Sequence, residues 1–86
     1  MKILTETEVE EIFESHEDIL TVDGFNDCIV GICERFGQED ILAYSKDAVL
    51  LKLMKRDGMS AGDAYEYFYF NIIGAGMGEL TPCFIE

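Results

Sequence analysis

Basic residues are scarce in this 86-residue chain, where six lysines and arginines stand against 18 aspartates and glutamates, for a formal net charge of -12. Four of the six lie in the segment 45–58 together with two aspartates, so that segment is net +2 and the remainder is net -14. Such a charge balance repels nucleic acid and anionic membranes and attracts basic protein surfaces. We therefore expect no direct binding to nucleic acid or to membranes.

Cysteine and proline are also few, with three cysteines and one proline, and no apolar run is long enough to cross a bilayer. An odd number of cysteines argues against a disulfide framework. The first six residues become acidic too early for a signal peptide, so we expect a cytoplasmic location, that of the host cell if the protein is phage-encoded. Because 49% of the residues are hydrophobic, we expect one folded domain spanning 1–86 rather than a disordered acidic tail.

No spacing typical of a metal or cofactor site stands out. The cysteines and His16 include no Cys-x-x-Cys pair, so buried structural thiols are a better interpretation than a zinc site. The glycines at 74, 76 and 78 lack the lysine and hydroxyl of a phosphate-binding loop and indicate a flexible connection. We expect no metal, no cofactor and no enzymatic activity.

The beginning of the chain predicts a helix. Thr5 is a good N-cap, and Glu8 three residues later completes a capping box. The pattern of apolar residues that follows allows the helix to end near Ser15 or to continue to Leu20.

A β-hairpin is predicted next, formed by residues 28–33 and 41–44. Gly37 and the polar stretch 38–40 separate them, which indicates a loop of three to five residues. The first run also fits helical spacing up to residue 36. The β-branched residues and the central glycine favour a strand.

Two further helices are predicted. Ser45 is the expected N-cap of a helix over 46–57 that ends at Gly58. Ser60 is the expected N-cap of another helix, which continues to about Ile72.

Pro82 restricts the final segment to an extended conformation or an edge strand. The predicted fold class is therefore α+β, with a helix, a β-hairpin, two helices and a short C-terminal extended segment that can join the sheet.

The first helix carries a row of carboxylates. Residues four apart in a helix lie about 6 Å apart along its axis, so such a row can imitate the phosphates of a nucleic-acid strand. A solvated face that only keeps the protein soluble is the better explanation for this helix alone, but the acidic excess over the rest of the chain weakens it. The members of the row are Glu6, Glu10, Glu14 and Glu17 or Asp18.

The segment 65–70 contains five of the ten aromatic residues. Consecutive helical positions cannot all face one core, so either this helix is central in the domain or its outer side meets another chain. Tyrosine is common at interfaces because it is large, rigid and amphipathic, which makes Tyr65 and Tyr69 candidate anchors.

Three stretches, 23–38, 57–60 and 66–82, together resemble a group of small proteins of tailed phages and prophages that have no assigned function. The resemblance covers about three quarters of the chain, from residue 23 to 85, and leaves out the acidic first helix. It implies expression inside an infected bacterium, where small acidic phage proteins often inhibit host or defence proteins. It supplies no catalytic residues.

The sequence thus leads us to expect a non-enzymatic acidic binding module, in this setting a phage-encoded inhibitor of a host or defence protein that has a basic, nucleic-acid-binding surface. The alternative is a self-associating accessory module whose aromatic helix forms a homodimer and whose charge serves only solubility. The residues expected to contact the partner are Glu6, Glu10, Glu14, Glu17, Asp18, Tyr65 and Tyr69.

Overall fold

The structure is a computed structural model that describes residues 2–75 and 78–86, apart from the side chains of residues 75 and 79. Its helices and strands, in chain order, are α1 (Glu6–Ser15), β1 (Ile29–Arg35), β2 (Gln38–Ser45), α2 (Lys46–Asp57), α3 (Ala61–Tyr67) and β3 (Cys83–Ile85). A 3₁₀ turn (Asn26–Cys28) precedes β1, and a π turn (Phe68–Ile72) extends α3. Two more 3₁₀ turns are Ile73–Ala75 and Gly78–Leu80. The predicted α+β class and element order are confirmed.

The capping box at the start of α1 is confirmed. The Thr5 hydroxyl accepts the Glu8 N–H at 3.2 Å, and the Glu8 carboxylate accepts the Thr5 N–H at 2.9 Å. The helix ends at Ser15, the earlier of its two predicted ends, and His16 is its C-cap with φ -133°.

The hairpin is confirmed, but the expected loop length is wrong. Only Phe36 and Gly37 join the two strands, with Gly37 at φ 72°. The polar residues 38–40 belong to β2, since a strand next to the turn of a hairpin can pair its backbone while its side chains face water. The Arg35 guanidinium reinforces this end by donating to the Glu39 carbonyl at 2.9 Å.

Both later helices begin and end largely as predicted. The Ser45 hydroxyl accepts the Ala48 N–H at 3.1 Å, and Gly58 ends α2 in the left-handed region with φ 68°. The Ser60 hydroxyl caps α3 in the same way, accepting the Asp63 N–H at 3.2 Å. The helix that Ser60 caps reaches Ile72 as predicted, but its last five residues form the π turn.

The three strands form one sheet in the order β1-β2-β3, antiparallel between β1 and β2 and parallel between β2 and β3. The segment after Pro82 therefore joins the sheet as an edge strand, and Cys83 pairs with Ala43. A parallel pair needs a long crossover, which α2 and α3 provide.

The core lies between one face of the sheet and the helices. Phe68 meets Phe84 edge to face, with ring centroids 5.1 Å apart. Tyr44 is fully buried in β2, and its hydroxyl accepts the Val22 N–H at 2.8 Å. This hydrogen bond fastens the segment between α1 and the 3₁₀ turn to the sheet. The most completely buried core side chains are Ile29, Leu42, Tyr44, Val49, Leu53 and Phe68.

Candidate protein-binding surfaces

Six carboxylates on α1 and the turn that follows it lie exposed to solvent, and we call them the acidic ridge. None of the six side chains forms a hydrogen bond or an ion pair within the described ranges. The helical part of the ridge spans about 12 Å, at ~1.5 Å per residue. The ridge consists of Glu6, Glu10, Glu11, Glu14, Glu17 and Asp18.

All five carboxylates that the sequence predicts to contact a partner are exposed, three of them on α1 and two in the turn that follows it. The structure adds Glu11, which lies one position away from the predicted row. The signal for Glu11 was present in the sequence, since a helix whose apolar residues face the core exposes more than one row of side chains.

An open cleft of about 650 Å³ lies beside α1, and we call it the α1 groove. Apolar side chains from the N-terminal segment and from the inner face of α1 line it, namely Ile3, Leu4, Val9 and Phe13. Glu6 and Glu10 of the ridge line the same cleft. Residues of the 3₁₀ turn and Lys52 of α2 complete its lining.

The charges that α2 and the 3₁₀ turn contribute to the groove neutralise each other. Lys52 donates to the Asp27 carboxylate at 2.7 Å, and this hydrogen bond holds the pKa of Asp27 below its usual value. The Lys52 ammonium also lies 5.7 Å from the centroid of the Phe25 ring. The charge that stays unpaired in the groove is therefore that of Glu6 and Glu10.

A second recess of about 380 Å³ lies at the other end of α1. His16 lines it, with Nε2 3.2 Å from the Asp40 carboxylate and Nδ1 3.3 Å from the Ile12 carbonyl. These contacts hold the half-buried His16 between the end of α1 and β2. The acidic residues that line the recess are Glu17, Asp18, Glu39 and Asp40. Within residues 2–75 and 78–86, no three histidine, cysteine or acidic side chains are grouped to hold a metal ion.

Tyr65 and Tyr69 surround a buried lysine, in an arrangement we call the Lys46 box. The Lys46 side chain is 6% exposed, and its ammonium donates to the Tyr69 hydroxyl at 2.7 Å and to the Glu86 carboxylate at 2.8 Å. The ring centroids of Tyr65 and Tyr69 lie 4.8 and 5.0 Å from the ammonium. The hydrogen bond to Glu86 raises the pKa of Lys46 and lowers that of Glu86. The box therefore ties the end of β3 to the start of α2.

The predicted anchors are thus already engaged inside the chain, although Tyr65 and Tyr69 remain 47% and 42% exposed. Their rings stack on each other at 5.3 Å. Among the described residues, no hydrogen bond joins these tyrosines to the acidic ridge, and the two clefts that ridge residues line include neither tyrosine.

The outer side of α3 and the π turn exposes aromatic side chains beside polar ones such as Glu66 and Asn71. Phe70 is 78% exposed, and Tyr67 and Ile73 are also exposed on this side, while Phe68 and Ile72 are buried. The helix is thus covered on one side only, and we call Tyr67, Phe70 and Ile73 the aromatic patch. The sequence prediction names Tyr65 and Tyr69 in this segment and does not name Phe70.

The three cysteines are all free thiols. Cys28 is buried in the 3₁₀ turn, and burial raises its pKa to about 11. Cys33 and Cys83 are half-buried on the outer strands of the sheet. The expectation of buried structural thiols is therefore confirmed for Cys28 and only partly met by the other two.

No helix in the described ranges is both long enough and apolar enough to span a membrane. Comparisons of the chain with protein-family models, with curated proteins and with solved structures gave no match. The resemblance to phage proteins therefore stays a prediction from the sequence stretches alone.

Proposed function

We propose that the protein is a non-enzymatic binding module that docks its acidic ridge on a basic surface of another protein. The observation that carries the proposal is that the ridge has no cation of its own within the described ranges. The chain has cations close to acidic residues elsewhere, since Lys46, Lys52 and Arg56 each pair with a carboxylate of the same chain. All six carboxylates of the ridge, in contrast, form no ion pair within the described ranges.

The physical role of the ridge follows from its spacing. Each pair of like charges four residues apart costs an isolated helix about 0.2–0.5 kcal/mol. A basic surface on a partner relieves this repulsion, and complementary charge speeds the encounter between two proteins. Exposed charges are screened beyond about 8 Å at physiological ionic strength, so this contribution is sensitive to salt.

The phage resemblance supplies a biological setting for the proposal. In that setting the partner is a host or defence protein whose nucleic-acid-binding surface is basic. Carboxylates spaced about 6 Å apart along the helix axis would take the place of phosphates on that surface. The protein would then act as an inhibitor by occupying the surface.

The test compares two variants with the same change in charge. One replaces Glu10, Glu14 and Glu17 by Gln within the ridge. The control carries Glu34→Gln, Asp63→Asn and Glu66→Gln, three exposed acidic positions outside the ridge.

Each protein is immobilised and used to capture proteins from bacterial lysates at low and high salt, and the association rate of the captured partner is then measured. We expect the ridge variant to associate at least about tenfold more slowly, with a weaker salt response, and the control to behave like the wild type. An unchanged rate and salt response in the ridge variant would show that the charge serves only solubility.

The aromatic patch favours a second candidate function, a self-associating module that forms a homodimer. Phe70 is the most exposed side chain of the patch and has no apolar cover in the single chain. In sedimentation velocity, Phe70→Ser should convert a dimer to a monomer, while the ridge variant should leave the dimer intact. A wild-type mass of 9.7 kDa at every concentration would exclude this candidate.

A further inference from the structure

The α1 groove offers apolar surface that a partner can still reach. Four apolar side chains line the cleft. Val9 is buried, whereas Ile3, Leu4 and Phe13 are half-buried and keep part of their surface open to a partner. Its volume of about 650 Å³ lies within the range of clefts that bind ligands. The α1 residues that line the groove extend from Glu6 to Phe13, so the groove follows the helix for about 11 Å, or two helical turns.

The charge of the groove selects among possible occupants. Lys52 is already paired with Asp27, so no lining cation is free to receive an anionic ligand such as a fatty acid. Glu6 and Glu10 are unpaired and lie about one helical turn apart. Cations four residues apart on a neighbouring helix have the same spacing of about 6 Å.

We propose that the α1 groove receives an amphipathic helix of the partner, with apolar side chains inserted between α1 and the 3₁₀ turn and with lysines or arginines paired to Glu6 and Glu10. The inference rests on the proposed function and specifies the partner surface as a basic helix rather than a flat basic patch. Insertion of an apolar helix face into a groove is a common mode of recognition between proteins. The groove supplies shape and apolar contact, and the ridge supplies the attraction.

The direct test uses three synthetic helical peptides of about four turns, measured by fluorescence anisotropy. The first has a leucine face flanked by lysines, the second replaces the lysines by glutamates, and the third replaces the leucines by serines. We expect the first to bind the wild-type protein and the other two to bind at least about tenfold more weakly.

Two variants locate the binding. Asn26→Trp places a large ring at the rim of the groove without changing the charge, and Ala61→Trp makes a comparable addition at the exposed start of α3. We expect Asn26→Trp to weaken binding of the first peptide at least about tenfold and Ala61→Trp to leave it unchanged. If Asn26→Trp fails to fold, the exposed pair Glu6→Gln and Glu10→Gln replaces it and should produce the same loss.

Several results would overturn the inference in distinguishable ways. If the lysine–serine and lysine–leucine peptides bind equally and both need the ridge, the groove is not used and the proposed function stands. If the glutamate–leucine peptide binds as well as the lysine–leucine peptide, charge does not select the occupant.

The helix α2 has its own exposed apolar and basic residues, Leu51, Met54 and Lys55. Self-association that is lost both on Asn26→Trp and on Leu51→Ser would therefore show that the occupant is a second copy of this chain rather than a partner. If no peptide binds and the ridge variant captures partners like the wild type, the inference and the proposed function both fail.

Discussion

Replacing Tyr44 by phenylalanine removes one hydroxyl from the core and tests what holds the segment after α1 in place. Tyr44 is fully buried, and its hydroxyl accepts the Val22 N–H at 2.8 Å. Residues 16–25 contain no helix or strand, so their attachment to the sheet depends on a few such contacts. The segment links the end of the acidic ridge to Gly24 in the lining of the α1 groove. We predict that Tyr44→Phe destabilises the fold and loosens this segment.

The expected magnitude follows from what the substitution leaves behind. Phenylalanine fills nearly the same volume, so no cavity forms, and the loss is confined to the Val22 N–H. Leaving a buried donor without a partner costs about 1–3 kcal/mol. Val22 is half-buried and within reach of water, which places the expected loss of unfolding free energy at about 1–2 kcal/mol. For a domain of this size, each 1 kcal/mol lowers the Tm by roughly 4–8 °C.

The assay is thermal unfolding followed by circular dichroism, together with hydrogen exchange of the Val22 amide. Tyr67→Phe is the matched control, because the Tyr67 hydroxyl forms no hydrogen bond with any described residue and Tyr67 is 40% exposed. We expect the control to melt within about 0.5 kcal/mol of the wild type. If Tyr44→Phe also melts like the wild type and the Val22 amide exchanges no faster, the reasoning is refuted.

Three further predictions concern other parts of the fold. Lys46 lowers the pKa of Glu86, so the charged carboxylate stabilises the fold above its unfolded pKa and loses this effect as the pH falls. Urea unfolding between about pH 6 and about pH 3 should therefore show a smaller loss of stability for Glu86→Gln than for the wild type. Burial raises the pKa of Cys28 to about 11, so mass spectrometry after iodoacetamide treatment near neutral pH should find it the last thiol alkylated, and early modification in the folded protein would contradict its burial. Gly58→Ala should destabilise by about 1 kcal/mol because φ is 68° there, whereas Gly62→Ala inside α3 should stabilise by about 0.5–1 kcal/mol; urea midpoints that move in the same direction would refute the argument.

The helix boundaries could be predicted from the sequence because they depend on neighbouring residues. The cap at Thr5 needs only Glu8, and the stop at Gly58 needs only a residue that accepts a positive φ. The length of the hairpin loop could not be predicted from composition, because polar residues 38–40 look like a loop yet pair their backbone as a strand. The π turn has no recognisable signal in the aromatic segment.

The candidate sites were less predictable than the helix boundaries, because they join residues that are far apart in the sequence. An amphipathic α1 with exposed carboxylates follows from its apolar spacing, and the predicted carboxylates are exposed in the structure. The α1 groove could not be predicted, because its lining includes Lys52, which lies more than 40 positions after α1 begins. The Lys46 box joins residues 46, 65, 69 and 86. Tyrosines four residues apart can hold a cation between them, but their spacing does not tell which one.

The parallel pairing of β2 with β3 has a consequence for how the chain folds. Ala43 pairs with Cys83 although α2 and α3 lie between them in the chain. These two helices must therefore be in place before the last strand can dock. Until then one edge of β2 is an unpaired template that can accept a strand from another molecule, a route to domain swapping and aggregation. In pulsed hydrogen exchange during refolding, the amides of 83–85 should therefore become protected after those of 41–44, and high protein concentration should trap swapped dimers. Simultaneous protection of the two segments would mean that the sheet assembles in one step.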